Sequence, residues 1–293
     1  LEKTMSTERK SVWYSENPAP EMLAYTREVN DVAILPIGAI EQHGPHCPLG
    51  SDALNAIGIV EKAAEKSGAT ALAPCFYGSH PHHHWGMPGN IPLTFETHIG
   101  LLTDIVRGAA QAGFNKFIIL SAHGQVSSTI VAVHKLGIEG FFTLSLHWYD
   151  FLRDNETVLE GPMWHADEAE TSVALHLYPD LVDMTKAVKG GGTPIIDSKW
   201  KIAPGMQANP GQMYHFEGTF ALPERDDLEN GVIGDPTIAS KEKGEKLVDA
   251  VVGHMDQLIQ EVLEQYPPGI NPLGFRNPLG YRGSDRLEYQ SVK

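Results

Sequence analysis

The chain has 293 residues, 42% hydrophobic and 20% charged, a globular composition that excludes a disordered, collagen-like or disulfide-framework protein. Its 22 Lys and Arg against 37 Asp and Glu leave a formal net charge of −15, so the average field would repel a nucleic-acid backbone or an anionic membrane surface. No apolar run approaches the roughly 18 residues of a membrane span, residues 1–10 lack the apolar core of a signal peptide, and there are only two cysteines, Cys47 and Cys75. The expectation is a cytoplasmic protein of a reducing compartment, with neither nucleic-acid nor membrane partner.

In chain order, residues 1–10 read as a flexible N-terminus. Apolar runs over Val32–Ile40, Thr70–Tyr77, Lys116–Ala122 and Phe141–His147 predict strands. Helical patterns separate them: from about Ala53 to Glu65, stopped near Gly68; from about Thr97 to Ala112, with Ile99, Leu102, Ile105 and Val106 on one face; and over Ser127–Leu136. This β-α-β-α-β-α-β alternation predicts an α/β fold, a three-layer sandwich whose mostly parallel sheet is covered by helices on both faces, with sites beyond the carboxyl ends of the strands. Lys186–Pro236 is rich in Gly and Pro, and so long a stretch is either functional or packs on another subunit. A further helix is expected over Ser240–Tyr266, ended by Pro267-Pro268, and Gly269–Lys293 reads as a surface or intersubunit tail. No repeat or linker divides the chain, so 1–293 is expected to form one domain.

The strongest chemical signal is Glu41-Gln42-His43-Gly44-Pro45-His46 followed by Asp52, directly after the first strand. Carboxylate and imidazole suit zinc or manganese, the turn residues let Asp52 fold back to join Glu41 and His43, and a carboxylate can bridge two ions. The structural alternative is that Asp52 merely caps the helix that follows. His123, at the end of the third strand, would face the same crevice, although a lone histidine there is more often a hydrogen-bonded structural residue. His165 and Glu168 stand three apart at the start of a helical pattern and would share a face, with Glu170 falling elsewhere; Asp167 is read as an acidic helix start. The run Ser79-His80-Pro81-His82-His83-His84 reads as a pocket wall in which His82 or His84 contacts substrate, and Gln125, Trp148, Tyr149 and Trp164 are counted with that wall. Cys47 is read as a small buried hydrophobe. No phosphate loop, nucleophile elbow or dinucleotide fingerprint occurs.

These blocks, together with His123-Gly124 and Gly231-Val232-Ile233-Gly234-Asp235-Pro236, resemble the creatininase (creatinine amidohydrolase) family over roughly Val32–Tyr266. The resemblance implies a compact α/β fold, two divalent ions per chain (zinc, manganese or both), hydrolysis of a small polar cyclic substrate, and a homohexamer. Carried over, Glu41 and His123 would bind one ion, His43 the other, Asp52 would bridge them, and His165 would be the acid/base. In creatininase itself the last carboxylate comes from two residues beyond the strand-end histidine, where this chain has Gln125. Glu168 is therefore expected to complete the second site, as both ligand and catalytic carboxylate. Ser121-Ala122-His123-Gly124-Gln125-Val126 replaces the family's Asn-Gly-His-Gly-Gly-Asn, and Asp167 replaces a glycine. Both departures reshape the pocket, and one branch of the family hydrolyses a carbon–carbon bond in diketo-inositol rings. The expected reaction is attack of a metal-activated water on a ring carbonyl, in a cyclic amide such as creatinine or in a cyclic diketone. The rival from another class is a scaffold whose metals only hold the fold, against which the carboxylate-rich ligand set argues.

Overall fold

The computed structural model describes residues 7–80, 84–124, 127–152, 158–161, 163–191 and 230–273. Four strands, β1 (Val32–Ile37), β2 (Thr70–Ala71), β3 (Lys116–Ser121) and β4 (Phe142–His147), form one parallel sheet in the order β2-β1-β3-β4. β1 and β3 are buried along their whole length, which is why they read as continuous apolar runs rather than alternating ones. The strand expected over Thr70–Tyr77 shrinks to two residues and an isolated bridge between Ile37 and Cys75. Pro74 interrupts it, having no N–H to give to a ladder.

Successive β1 side chains go to opposite layers. Val32 and Ile34 join Ala56, Ile59, Val60 and Ala63 of α2 (Ser51–Ser67), Val173 of α5 (Glu168–Leu177) and Leu247, Val251 and Met255 of α6 (Lys241–Gln265). Ala33, Leu35 and Ile37 join Met22 and Tyr25 of α1 (Ala19–Glu28), Leu102 and Val106 of α3 (Phe95–Gln111) and Ala132 and Leu136 of α4 (Ser127–Ile138). The result is the expected three-layer α/β sandwich. α1 is absent from the sequence expectation. Pro18 and Pro20 look like breakers, yet here they cap and open the helix, where no backbone donor is needed. Among the described residues no helix is long and apolar enough to cross a membrane.

Two joints matter for the site. At the end of β1 a Cβ on Gly38 would lie 2.2 Å from the Ala53 nitrogen, so glycine is what lets the start of α2 close onto the strand end. At the other edge α6 crosses α5 so tightly that a Cβ on Gly244 would lie 1.9 Å from the Ser172 carbonyl oxygen. After α6, Asp31 accepts from Lys116 Nζ at 2.6 Å and from the Gly269 N–H at 2.9 Å, which ties the first described residues of the expected tail to the sheet. The remainder of that tail (274–293), residues 1–6 of the expected flexible N-terminus, and 192–229 of the Gly- and Pro-rich stretch lie outside the described residues.

Candidate metal centre

Five side chains converge beyond the carboxyl end of the sheet. Glu41 and His43 come from the loop after β1, closed by the Glu41 N–H donating to the Leu49 carbonyl at 2.8 Å. Asp52 stands in the first turn of α2. The N-cap is Gly50, and the Asp52 carboxylate faces His43 Nε2 at 3.0 Å and His123 Nδ1 at 3.1 Å instead of capping. His123, just past β3, also places Nδ1 2.8 Å from Glu41 Oε2. Glu170 Oε2 lies 3.5 Å from His43 Nε2.

Both imidazoles are oriented from behind. His43 Nδ1–H donates to the Glu41 carbonyl at 3.1 Å, and His123 Nε2–H donates to the Ser79 carbonyl at 2.9 Å. Each ring thus presents its other nitrogen to the carboxylates, the arrangement by which metal-bound histidines are held. Glu41 Oε1 and Oε2, His43 Nε2, Asp52 Oδ2 and both His80 nitrogens are buried without a well-aligned hydrogen bond among the described residues. Two groups, Glu41 with His80 and His123, and His43 with His165 and Glu170, bring one ligand atom each to within 4.8 Å of one another. Converging buried lone pairs of O and N type fit divalent zinc or manganese.

The electrostatics say the same. Burial alone would lower the His43 imidazole, but Asp52, with Glu170 and Glu41, outweighs it and holds the ring up at about 10. Burial likewise pulls the His123 imidazole down, but Glu41 and Asp52 outweigh it and hold the ring well above its usual value. Glu170 is pushed well above the usual carboxylate range by burial, reinforced by Asp167 and Asp52 against His43. Three carboxylates in so dry a place demand compensating positive charge, which protons supply in the apo state and cations supply better. His165 differs: burial outweighs Glu41 and takes its imidazole down to about 4, so it is neutral at pH 7. Its Nε2 lies 2.8 Å from the Gln42 carbonyl and 3.9 Å from Glu41 Oε1.

Glu168 does not join them. Its carboxylate accepts from Lys243 Nζ at 2.5 Å and from the Glu160 and Gly161 N–H groups at 2.8 and 2.9 Å, so its oxygens are committed to holding α6 and a loop. The reason is the helix start. α5 begins at Glu168, with Asp167 as N-cap accepting from the Ala169 and Glu170 N–H groups, whereas His165 sits before it, bridged to Ile233 in extended backbone. Ala166, at φ 49°, turns the chain between them. Spacing on a common helix face therefore does not apply to His165 and Glu168, and it is Glu170 that reaches His43.

Of the expected pocket wall, His84 contacts Glu41 Oε1 through Nδ1. Trp148 is fully buried in the α2/α6 core and Tyr149 packs against that core, its ring stacked on His147. Packing thus accounts for both aromatics. Trp164 gives its N–H to the Asp167 carboxylate. His82 and Gln125 lie outside the described residues. Sequence reasoning passed over His80 and Glu170; the first was hidden in a run of like residues and the second by a misplaced helix start. Cys47 is half-buried and its thiol is pushed up to about 12 by burial, which suits the inert role expected of it.

A family model described as creatininase, creatinine amidohydrolase, matches residues 16–259. The chain is 33% identical over 273 residues to 3-dehydro-scyllo-inosose hydrolase of Thermotoga maritima, an alignment spanning 88% of this chain and 85% of that one. It is 27% identical over 279 residues to creatinine amidohydrolase of Pseudomonas putida, covering 88% and 99%. Among solved structures, a creatininase superposes with a TM-score of 0.68 at 26% identity, over 88% of this chain and 99% of the other. A manganese creatininase does so at 0.67 and 27%, over 88% and 100%. With the sandwich, the strand-end ligand set and the family match in agreement, the chain belongs to the creatininase family of hydrolases.

Proposed function

We propose that the protein is a dinuclear metal-dependent hydrolase that opens a small polar ring by cleaving a carbon–carbon bond in a cyclic diketone of the 3-dehydro-scyllo-inosose type. The observation that carries the metal-hydrolase reading is the convergence of Glu41, His43, Asp52, His123 and Glu170 on one buried space beside a neutral His165, and the diketone is supported by the 33% identity to the inosose hydrolase. Glu41 and His123 would hold one zinc or manganese ion and His43 and Glu170 the other, with Asp52, which faces both His43 and His123, available to each. A pair of divalent ions so held lowers the pKa of water toward neutrality and polarises a carbonyl.

The protein's own groups do the rest. Nε2–H of His165 donates to the Gln42 carbonyl, which leaves the lone pair of the neutral ring on Nδ1. The neutral imidazole of His165 would take a proton from the attacking water and return it to the carbon that leaves as an enolate. Water adds to one carbonyl of the β-diketone, the bond to the intervening carbon breaks, and an open-chain keto acid results. Creatinine or another cyclic amide is the second reading, favoured by the creatininase structures matched over nearly their whole length; the leaving atom is then nitrogen. Exposed Leu49, Trp85, Ile91 and Phe95 are compatible with burial against other subunits, and the homohexamer and the cytoplasmic location rest on the family resemblance alone.

The test is a side-by-side assay of the manganese- and zinc-loaded protein on 3-dehydro-scyllo-inosose and creatinine, followed by NMR. Turnover of the diketone with kcat/KM at least a hundredfold above that for creatinine, abolished by chelation, is expected. Preference for creatinine would replace the first reading by the second, and chelator-resistant turnover would remove the metals from the mechanism.

A further inference from the structure

His80 carries more of the site than the reaction above assigns to it. It is 1% exposed, and neither ring nitrogen has a hydrogen bond among the described residues, a costly condition for a buried polar group. One nitrogen lies within 4.8 Å of ligand atoms of both Glu41 and His123. Its ring centroid is 4.9 Å from that of His123.

What fixes His80 is backbone. The Leu93 N–H donates to the Gly78 carbonyl at 2.9 Å, Ser79 bridges to Leu93, and the Ser79 carbonyl is the acceptor that orients His123. The Ser79 hydroxyl pairs with Ser128 Oγ at 2.8 Å, and Trp85 Nε1–H donates to the His80 carbonyl at 3.3 Å. The residue is therefore anchored before and after its α-carbon, while its imidazole has no hydrogen-bond partner among the described residues and lies beside the Glu41 carboxylate and the His123 imidazole. Preorganisation of this kind is what a ligand needs.

We infer that His80 is a further protein ligand of the ion held by Glu41 and His123. That ion is then enclosed by two carboxylates and two imidazoles (Glu41, Asp52, His123 and His80), the closed four-ligand shell of a retained metal. The ion at His43 and Glu170 has fewer protein ligands and keeps the open position that catalysis requires. The inference rests on the dinuclear reading and gives its two ions different duties, one anchored and one exposed to substrate.

The experiment is a crystal structure of the zinc-loaded protein together with chelator-extraction kinetics on wild type, His80→Ala and His80→Gln. The expected result is zinc on Glu41 and His123 with a His80 nitrogen at about 2.0–2.1 Å. Wild type should release one ion fast and one slowly, and both variants should release the slow ion at least tenfold faster, leaving the fast phase unchanged. Zinc on Glu41 and His123 with His80 beyond ligation distance, or an unchanged slow phase in both variants, overturns the inference and spares the dinuclear reading. Zinc missing from the cluster overturns both. If neither variant folds, the His80–zinc distance decides.

Discussion

Glu168 and Glu170 are two residues apart in one helix turn, and their environments give them opposite work. Glu168 is 1% exposed and paired with Lys243; Glu170 faces His43. Glu170→Gln is therefore expected to leave about one of two ions bound, by metal analysis of the gel-filtered protein. Glu168→Gln should retain both and lose only about 1 kcal/mol of stability, since Lys243 is half-buried and keeps Glu160 and the Ile238 carbonyl as partners; an ion lost from Glu168→Gln and none from Glu170→Gln would reverse the assignment. Four of the five converging residues were legible in the sequence because they sit where chain order alone puts chemistry, at the ends of β1 and β3 and the start of α2. The fifth was not, because its place depends on the backbone turn at Ala166, a conformation no periodicity reveals. Aromatics such as Trp148 misled for a related reason, since burial in a core and lining of a pocket look the same in sequence.

The helices obey their local signals more faithfully. α2 stops at Gly68 in the left-handed conformation, and α3 starts at a Thr94 cap. Long amphipathic segments carry many agreeing residues, so the four principal helices are recovered to within a few positions. α1 escaped because its prolines conceal it, and the second strand was expected too long because one proline cuts it short. The crossing of α5 and α6 sets the stage on which Glu170 stands, and two glycines of α6 test it. Alanine at an open helix position gains up to about 1 kcal/mol over glycine. Gly253, whose added Cβ would meet only Lys66 Nζ at 4.0 Å, should show that gain on Gly253→Ala. Gly244→Ala should instead cost about 2 kcal/mol or more, because the nearest obstacle is backbone and the helices must part. Urea midpoints of the two variants measure both, and a stabilised Gly244→Ala would mean that the crossing is loose.

For the molecule as a whole, acid is the natural weakness. His98, 2% exposed on α3, is held neutral with Nδ1 2.8 Å from Ser128 Oγ and Ser79 Oγ beside it. Burial, helped by His123 and His80, lowers its imidazole from 6.5 to about 4. The unfolded chain takes up this proton first, so the stability contributed by His98 is present above pH 6.5, falls as pH drops through the interval, and levels off below 4. At ~1.4 kcal/mol per pH unit this is roughly 3 kcal/mol. In chelator, His98→Gln should flatten the pH dependence of the unfolding free energy by up to one proton between pH 4 and 6.5; an unchanged slope would show that the ring is not what senses the acid. The cluster that draws on Glu41 and Asp52 at one end of the chain order and His123 and Glu170 at the other has a last consequence. No local stretch contains a complete chelating set, so tight capture of an ion waits until the distant crossovers have docked. On the dinuclear reading, a polypeptide stalled short of that point would lack the assembled set, and metal occupancy would be a stamp that only finished molecules receive.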